Sequence, residues 1–202
     1  MKKFNTRKIV LTAMFSAIAS VLMLLEFPIA FLLPSYLKFD FSDVATLIAT
    51  FAMGPVSGII VCFIKNLINL LLDSTTGGIG ELCNFLLSVA FILPAGLMYK
   101  RKRKMKSAVL GMGIGVIATG IASIVVNFFI IYPVYAKIMT TSKVDGMTIL
   151  IGMYKAFLPW VNDLLTGILV FNLPFTLIRC IICAVITLFL YKRLSPLIRK
   201  GD

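Results

Sequence analysis

Charged and amide side chains set inside apolar sequence are where this chain could do chemistry. In LKFDFSDVATLIATFAMGPVSGIIVCFIKNLINLLLD (residues 37–73), Asp40 and Asp43 stand before one hydrophobic run, and Lys65, Asn66 and Asn69 interrupt the next. A charge at membrane depth is costly unless it meets a partner or a wet cavity, so each is a candidate functional residue. Lys65, Asn69 and Asp73 recur at i, i+4 and i+8 on one helix face; Asp40, Asp43, Thr46 and Thr50 share a face of the preceding run. Two polar stripes hinged at Gly54-Pro55 predict two walls of one pocket. The pattern returns in Glu81, Asn84 and Ser88, in Asn127, and in Asn172, Thr176 and Arg179. Other chemistries fit poorly. There is no histidine, and Cys180-x-x-Cys183 has no second pair, so two small apolar-helix residues explain it better than zinc or redox chemistry. The glycines of STTGGIG lack the Lys-Ser/Thr of a phosphate loop, and GMGIG follows a basic turn rather than a strand.

The elements that must hold these residues are membrane helices. The chain has 202 residues, 60% hydrophobic and 14% charged, with a mean hydropathy of +1.03, well beyond a soluble domain. Six spans are expected, at about 9–26, 41–53, 56–73, 81–99, 107–131 and 171–193, in a single domain with outer loops 27–40, 74–80 and 132–170. The first span has no small-residue cleavage site after it, which argues against a signal peptide. Of twenty basic residues, fourteen adjoin span ends at three places: before span one, at Lys100–Lys106, and after span six. That is the signature of cytoplasmic loops and puts both termini inside. The net charge of +12 therefore marks membrane orientation, not a nucleic-acid partner. All acids but Asp202 fall on the outer side. Pro28 and Pro34 punctuate an apolar outer loop, read as a lid over residues 27–39. Residues 132–170, broken by Lys137, Pro159 and Asp163, read as a long outer loop with interfacial helices and Trp160 at headgroup level. Two small-residue faces, Ala13/Ser16/Ala17/Ser20 and Gly111/Gly115 with their neighbours, suit close helix approach.

The polar groups Asp40, Asp43, Lys65, Asn84, Asn127, Asn172, Thr176 and Arg179 thus converge at the outer ends of the spans, with aromatics such as Phe39, Phe41, Phe128, Tyr132 and Phe171 near enough to stack on a flat ring. An apolar pocket with a few convergent polar groups is the general form of a ligand site. Arg179 has two readings, an ion pair to Asp40 or Asp43 that ties span six to span two, or a donor to ligand carbonyls.

Three stretches carry a resemblance: residues 37–69, the strip Ala13-xxx-Ala17, and FNLPFTLIR. They resemble the riboflavin-specific S component of energy-coupling factor (ECF) vitamin transporters, over nearly the whole chain. The resemblance implies an all-α S-component fold with six membrane helices, in a bacterial cell membrane. It implies a riboflavin-binding subunit that is not an enzyme and needs no cofactor, riboflavin being its substrate. A transmembrane coupling subunit would dock on Ala13 and Ala17, driven by two cytoplasmic ATPases. Leu37–Asp40 would cover the pocket, and Asn127 with Arg179 would hydrogen-bond the flavin. The alternatives are an S component for another vitamin or for flavin mononucleotide, and, in a different class, a small ion- or proton-coupled carrier. The last would need a polar line to the inner face, which is missing.

Overall fold

The structure is a computed structural model that describes residues 6–28, 37–74, 76–140 and 145–199, with the backbone alone for 192–199. Helix α1 (Thr6–Leu24) turns Ser16, Ala19, Ser20 and Met23 inward, against α2 and α3. The Ser16 and Ser20 hydroxyls donate to carbonyls four residues back, at 2.8 Å each, so they are satisfied without help from another helix. Ala13 and Ala17 lie on the exposed side. The small-residue strip expected as one face is therefore split between two. Beyond α1, β1 (Phe27–Pro28) pairs antiparallel with β2 (Lys38–Phe39), Phe27 opposite Phe39. Residues 29–36, which hold Pro34, Ser35 and Tyr36 of the expected lid, lie outside the described residues.

Helix α2 (Ser42–Met53) has 12 residues, all buried but Ala52. At 1.5 Å per residue it is only ~18 Å long, and burial on every side puts it in the middle of the bundle. Asp40 precedes it, so the stripe expected from Asp40 begins on the helix at Asp43. Thr46 and Thr50 donate to the carbonyls of Ser42 and Thr46, at 3.0 and 2.7 Å, and so are not pocket groups. Gly54, at φ +98°, makes the turn into α3 (Pro55–Leu72), a backbone angle that suits glycine. Pro55 at the first helical turn loses no intrahelical bond.

Helices α4 (Ile79–Lys102) and α5 (Met105–Val126) form a hairpin in near backbone contact. A Cβ on Gly115 would lie 2.4 Å from the Phe91 carbonyl oxygen. The turn between them exposes Lys100–Lys104 and Lys106. α5 does not end at residue 131. It continues through a π-helical segment (Asn127–Ile131) into α6 (Tyr132–Met139), giving one apolar helix of 35 residues, ~50 Å long against a hydrocarbon core of ~30 Å. Pro133 does not stop it, because the wide π turn falls where the proline ring would crowd the preceding carbonyl. The expected loop 132–170 is accordingly mostly helical: α6, α7 (Gly146–Lys155) and α8 (Leu164–Gly167) occupy it. The last span starts at Leu164, not at 171. A second π segment (Ile168–Asn172) leads into α9 (Leu173–Arg199).

Among the described residues, five helical stretches are long and apolar enough to cross a membrane: Thr6–Leu24, Pro55–Leu72, Ile79–Lys102, Met105–Met139 and Leu164–Tyr191. The short α2 is a sixth apolar helix. The main core, with Leu47, Phe51, Phe91, Met112, Cys180 and Tyr191, joins α2, α4, α5 and α9. A smaller one, Ala19, Ala45, Ala49, Met53 and Val61, seats α1. A third, including Tyr132, Leu150, Tyr154, Ile168 and Phe171, holds α7 against the two π segments.

Candidate functional site

The residues before α2 are held by a buried charge cluster. Asp43 Oδ1 accepts from Lys65 Nζ of α3 (2.7 Å) and from Ser88 Oγ of α4 (2.6 Å); its Oδ2 accepts from Arg179 Nη2 of α9 (2.9 Å). Arg179 Nη1 donates to Asp40 Oδ2 at 3.3 Å, and Nη2 also to Asn84 Oδ1 at 3.1 Å. Asp40 Oδ1 is held by the Ser42 amide (2.8 Å) and by its hydroxyl. Two carboxylates and two cations, all nearly inaccessible, thus form a neutral cluster joining four helices. A guanidinium suits this place because its planar fork can meet two carboxylates at once, where a lysine offers one compact charge.

Above this floor lies a cavity with about 880 Å³ of atom-free space, the open solvent at its mouth included. Leu37, Asp40, Asn84, Asn127, Tyr132, Asn172, Thr176 and Arg179, all expected at a site, line it. Three others do not. Asp43 and Lys65 are in the ion cluster beneath, since a buried charge is better served by an opposite charge than by a neutral ligand. Phe39 is buried edge-on against Phe41 (5.2 Å between ring centroids) and Phe175 (6.2 Å), and it is Phe175 that reaches the cavity. Two more of the expected stacking rings are placed otherwise: Phe171 stacks on Tyr154 at 5.3 Å, and Phe128 packs edge-on against Phe129.

Both π segments serve one wall. Asn127 begins the first; its Nδ2 donates to the Ser123 carbonyl (2.7 Å), and Ser123 Oγ meets Thr176 Oγ1 at 3.2 Å across the α5–α9 contact. Asn172 ends the second. Its Oδ1 accepts from the Tyr154 hydroxyl (2.7 Å), its Nδ2 donates to Tyr132 Oη (2.9 Å), and the two tyrosine hydroxyls bond to each other. A π bulge turns side chains off the regular helical register, and here each bulge bears a cavity asparagine.

At the mouth, Lys38 Nζ donates to Glu26 Oε1 at 2.5 Å. Burial pushes the Glu26 carboxyl above its usual range; Lys38 opposes this, while Asp40 and Asp73 add to it. Thr76 donates to Glu81 Oε2 at 3.0 Å. Several lining residues were absent from the expected set: Met23, Glu26, Asn69, Thr76, Glu81, Tyr135 and Phe175. Asn69 and Glu81 lay on polar stripes already visible in the sequence. Tyr135 follows Tyr132 by three residues and becomes legible once the helix is carried past residue 131. Met23, Thr76 and Phe175 left no sequence signal, because position alone brings them to the cavity.

Residues 7–191 match the family described as ECF transporter, substrate-specific component. The chain is 36% identical over 196 residues to the riboflavin transporter RibU of Staphylococcus aureus, covering 97% of this chain and 94% of that protein. It is 31% identical over 198 residues to the riboflavin transporter FmnP of Bacillus subtilis, with 97% and 96% covered. Among solved structures it is similar to the S component of a bacterial ECF transporter, with a TM-score of 0.73 and 35% identity over 96% of this chain and 98% of that one.

Proposed function

This chain belongs to the family of ECF transporter substrate-specific components, and on that premise we propose that its outer cavity binds riboflavin for uptake into the cell. The chain is a multi-pass bacterial membrane protein with the S-component fold. The observation that carries the reading is the cavity's make-up. Leu37, Ile131, Tyr132, Tyr135 and Phe175 offer apolar and aromatic faces, while Asn127, Asn172 and Thr176 bring amide and hydroxyl groups to the same wall. A flat heteroaromatic ring edged with carbonyls and ring nitrogens matches such a lining, since each amide can both donate and accept. The names of its relatives, riboflavin transporters in two other bacteria, support the same substrate.

Transport would need partners. In this reading the chain supplies substrate recognition, and a transmembrane coupling subunit with two ATPases supplies the work. The exposed side of α1 at Ala13 and Ala17 is the docking face, where small side chains let another helix approach closely. Protein purified from cells grown with the vitamin should be yellow, with a flavin absorption spectrum and about one flavin released per chain on denaturation. Colourless protein that takes up no added riboflavin would overturn the reading.

A further inference from the structure

The start of α5 meets α9 at a groove remote from the outer cavity. It has about 550 Å³ of atom-free space, the open surroundings included, and is lined by Met105, Val185, Leu188 and Phe189. Met105 and Leu188 are half-buried against the main core. Val185 and Phe189 stand out from it, Phe189 at 70% exposure. Along α5, ~33 Å of helix separates Met105 from the cavity asparagine Asn127. No lining residue carries a charge or a polar side chain, yet Lys104 and Lys106 flank Met105, in a turn that exposes Lys100–Lys104 and Lys106. Among the described residues no carboxylate lies within ion-pair distance of Lys104 or Lys106. The ion pairs join Lys38 to Glu26, Lys65 to Asp43, and Arg179 to Asp40 and Asp43. Asp145 and Asp163, for their part, cap α7 and α8.

We propose that this groove is a site for one anionic phospholipid, with an acyl chain along Met105, Val185, Leu188 and Phe189 and the phosphate between Lys104 and Lys106. Apolar walls open to a bilayer accept hydrocarbon, and uncompensated lysines at the end of a membrane helix attract an anionic headgroup. The two features adjoin, as the two parts of a phospholipid do. A zwitterionic headgroup brings its own cation beside the lysines and gains less. A soluble phosphate finds the lysines but gains nothing from the walls. Val185, Leu188 and Phe189 span a single turn of α9, enough for a chain and too little for the face of a partner helix.

The test is native mass spectrometry of the purified full-length protein in non-ionic detergent, titrated with phosphatidylglycerol and with phosphatidylcholine of the same acyl chains. Wild type should take up one phosphatidylglycerol at a concentration at least about ten-fold below that needed for phosphatidylcholine, since each lysine near an anionic headgroup contributes about five-fold. Lys104→Gln with Lys106→Gln should abolish the preference, while Lys100→Gln with Lys102→Gln, an equal loss of charge, should leave most of it. Val185→Trp should obstruct the groove and weaken phosphatidylglycerol binding with every lysine in place. Glycerol 3-phosphate, the headgroup chemistry without chains, should not displace the lipid. Equal uptake of the two lipids by wild type would overturn the site, and that comparison stands even if a variant fails to fold. So would equal effects of the two lysine pairs, undiminished binding in Val185→Trp, or displacement by glycerol 3-phosphate. Dimers in the spectra that vanish with Val185→Trp would assign the groove to a second copy of the chain instead. Riboflavin affinity should be the same in every variant, so failure of the lipid site leaves the proposed function standing.

Discussion

Arg179 shows how much one side chain is asked to do. Its two Nη groups engage Asp40, Asp43 and Asn84, and it also lines the cavity. Of its two sequence readings, the tie between the last span and α2 is present in full. Arg179→Met would leave two buried carboxylates facing Lys65 alone, and removing one partner from a buried ion cluster costs roughly 3–5 kcal/mol. The ligand-free variant should therefore melt far below wild type, and Arg179→Lys should recover part of the loss, because lysine restores charge but not the fork. An unchanged melting temperature for Arg179→Met would show that the cluster does not hold these helices. Glu26 makes a smaller prediction. Folding raises its carboxyl above the ordinary 4.5, chiefly through burial. Its contribution to stability is thus fully present below 4.5 and lost as pH rises through the folded value. Glu26→Gln should flatten that part of the pH profile of melting, and an identical profile in both proteins would refute it.

Elements were legible where one rule decides them. Gly54-Pro55 fixes a turn, and Gly111 and Gly115 mark a close helix pair. The π segments were not legible, because nothing in NFFII or ILVFN differs from ordinary helix, and Lys137 reads as a break unless the wide turn before it is known. The interfacial helices expected in 132–170 carried no sign that one of them, α7, places Tyr154 at the cavity wall through Asn172 rather than by lining it. Tyr154→Phe removes one hydroxyl that orients the amide and should weaken flavin binding by about 1 kcal/mol, or roughly five-fold. Asn172→Ala should weaken it at least as much, and the double variant should be little worse than Asn172→Ala alone, because both act through one amide. Additive losses would show that Tyr154 acts elsewhere. In α5, Gly115→Leu should push α5 off α4, since even a Cβ there meets the Phe91 carbonyl; a folded yield equal to wild type would contradict so close a contact.

At the scale of the whole molecule, the proposed function gives two tasks to two separate surfaces, the cavity and the exposed Ala13/Ala17 side of α1. The charges in the sequence announced that Asp40, Asp43, Lys65 and Arg179 must find company at depth, but not that Asp43 and Lys65 would meet each other beneath the cavity. Pairing between distant helices depends on packing that no periodicity encodes. Ala13→Trp with Ala17→Trp should abolish vitamin uptake in a riboflavin-auxotrophic cell while the purified protein still binds flavin, and unchanged uptake would remove the docking face from α1. The most direct test concerns the cavity itself. Thr176→Trp places an indole among Asn127, Phe175 and Arg179, where the account puts the flavin ring. In a riboflavin titration followed by fluorescence quenching, wild type should saturate at one flavin per chain, while the variant, folded and with a melting temperature near wild type, should show no saturable quenching. Riboflavin bound by that folded variant with wild-type affinity would contradict the placement of the site in this cavity.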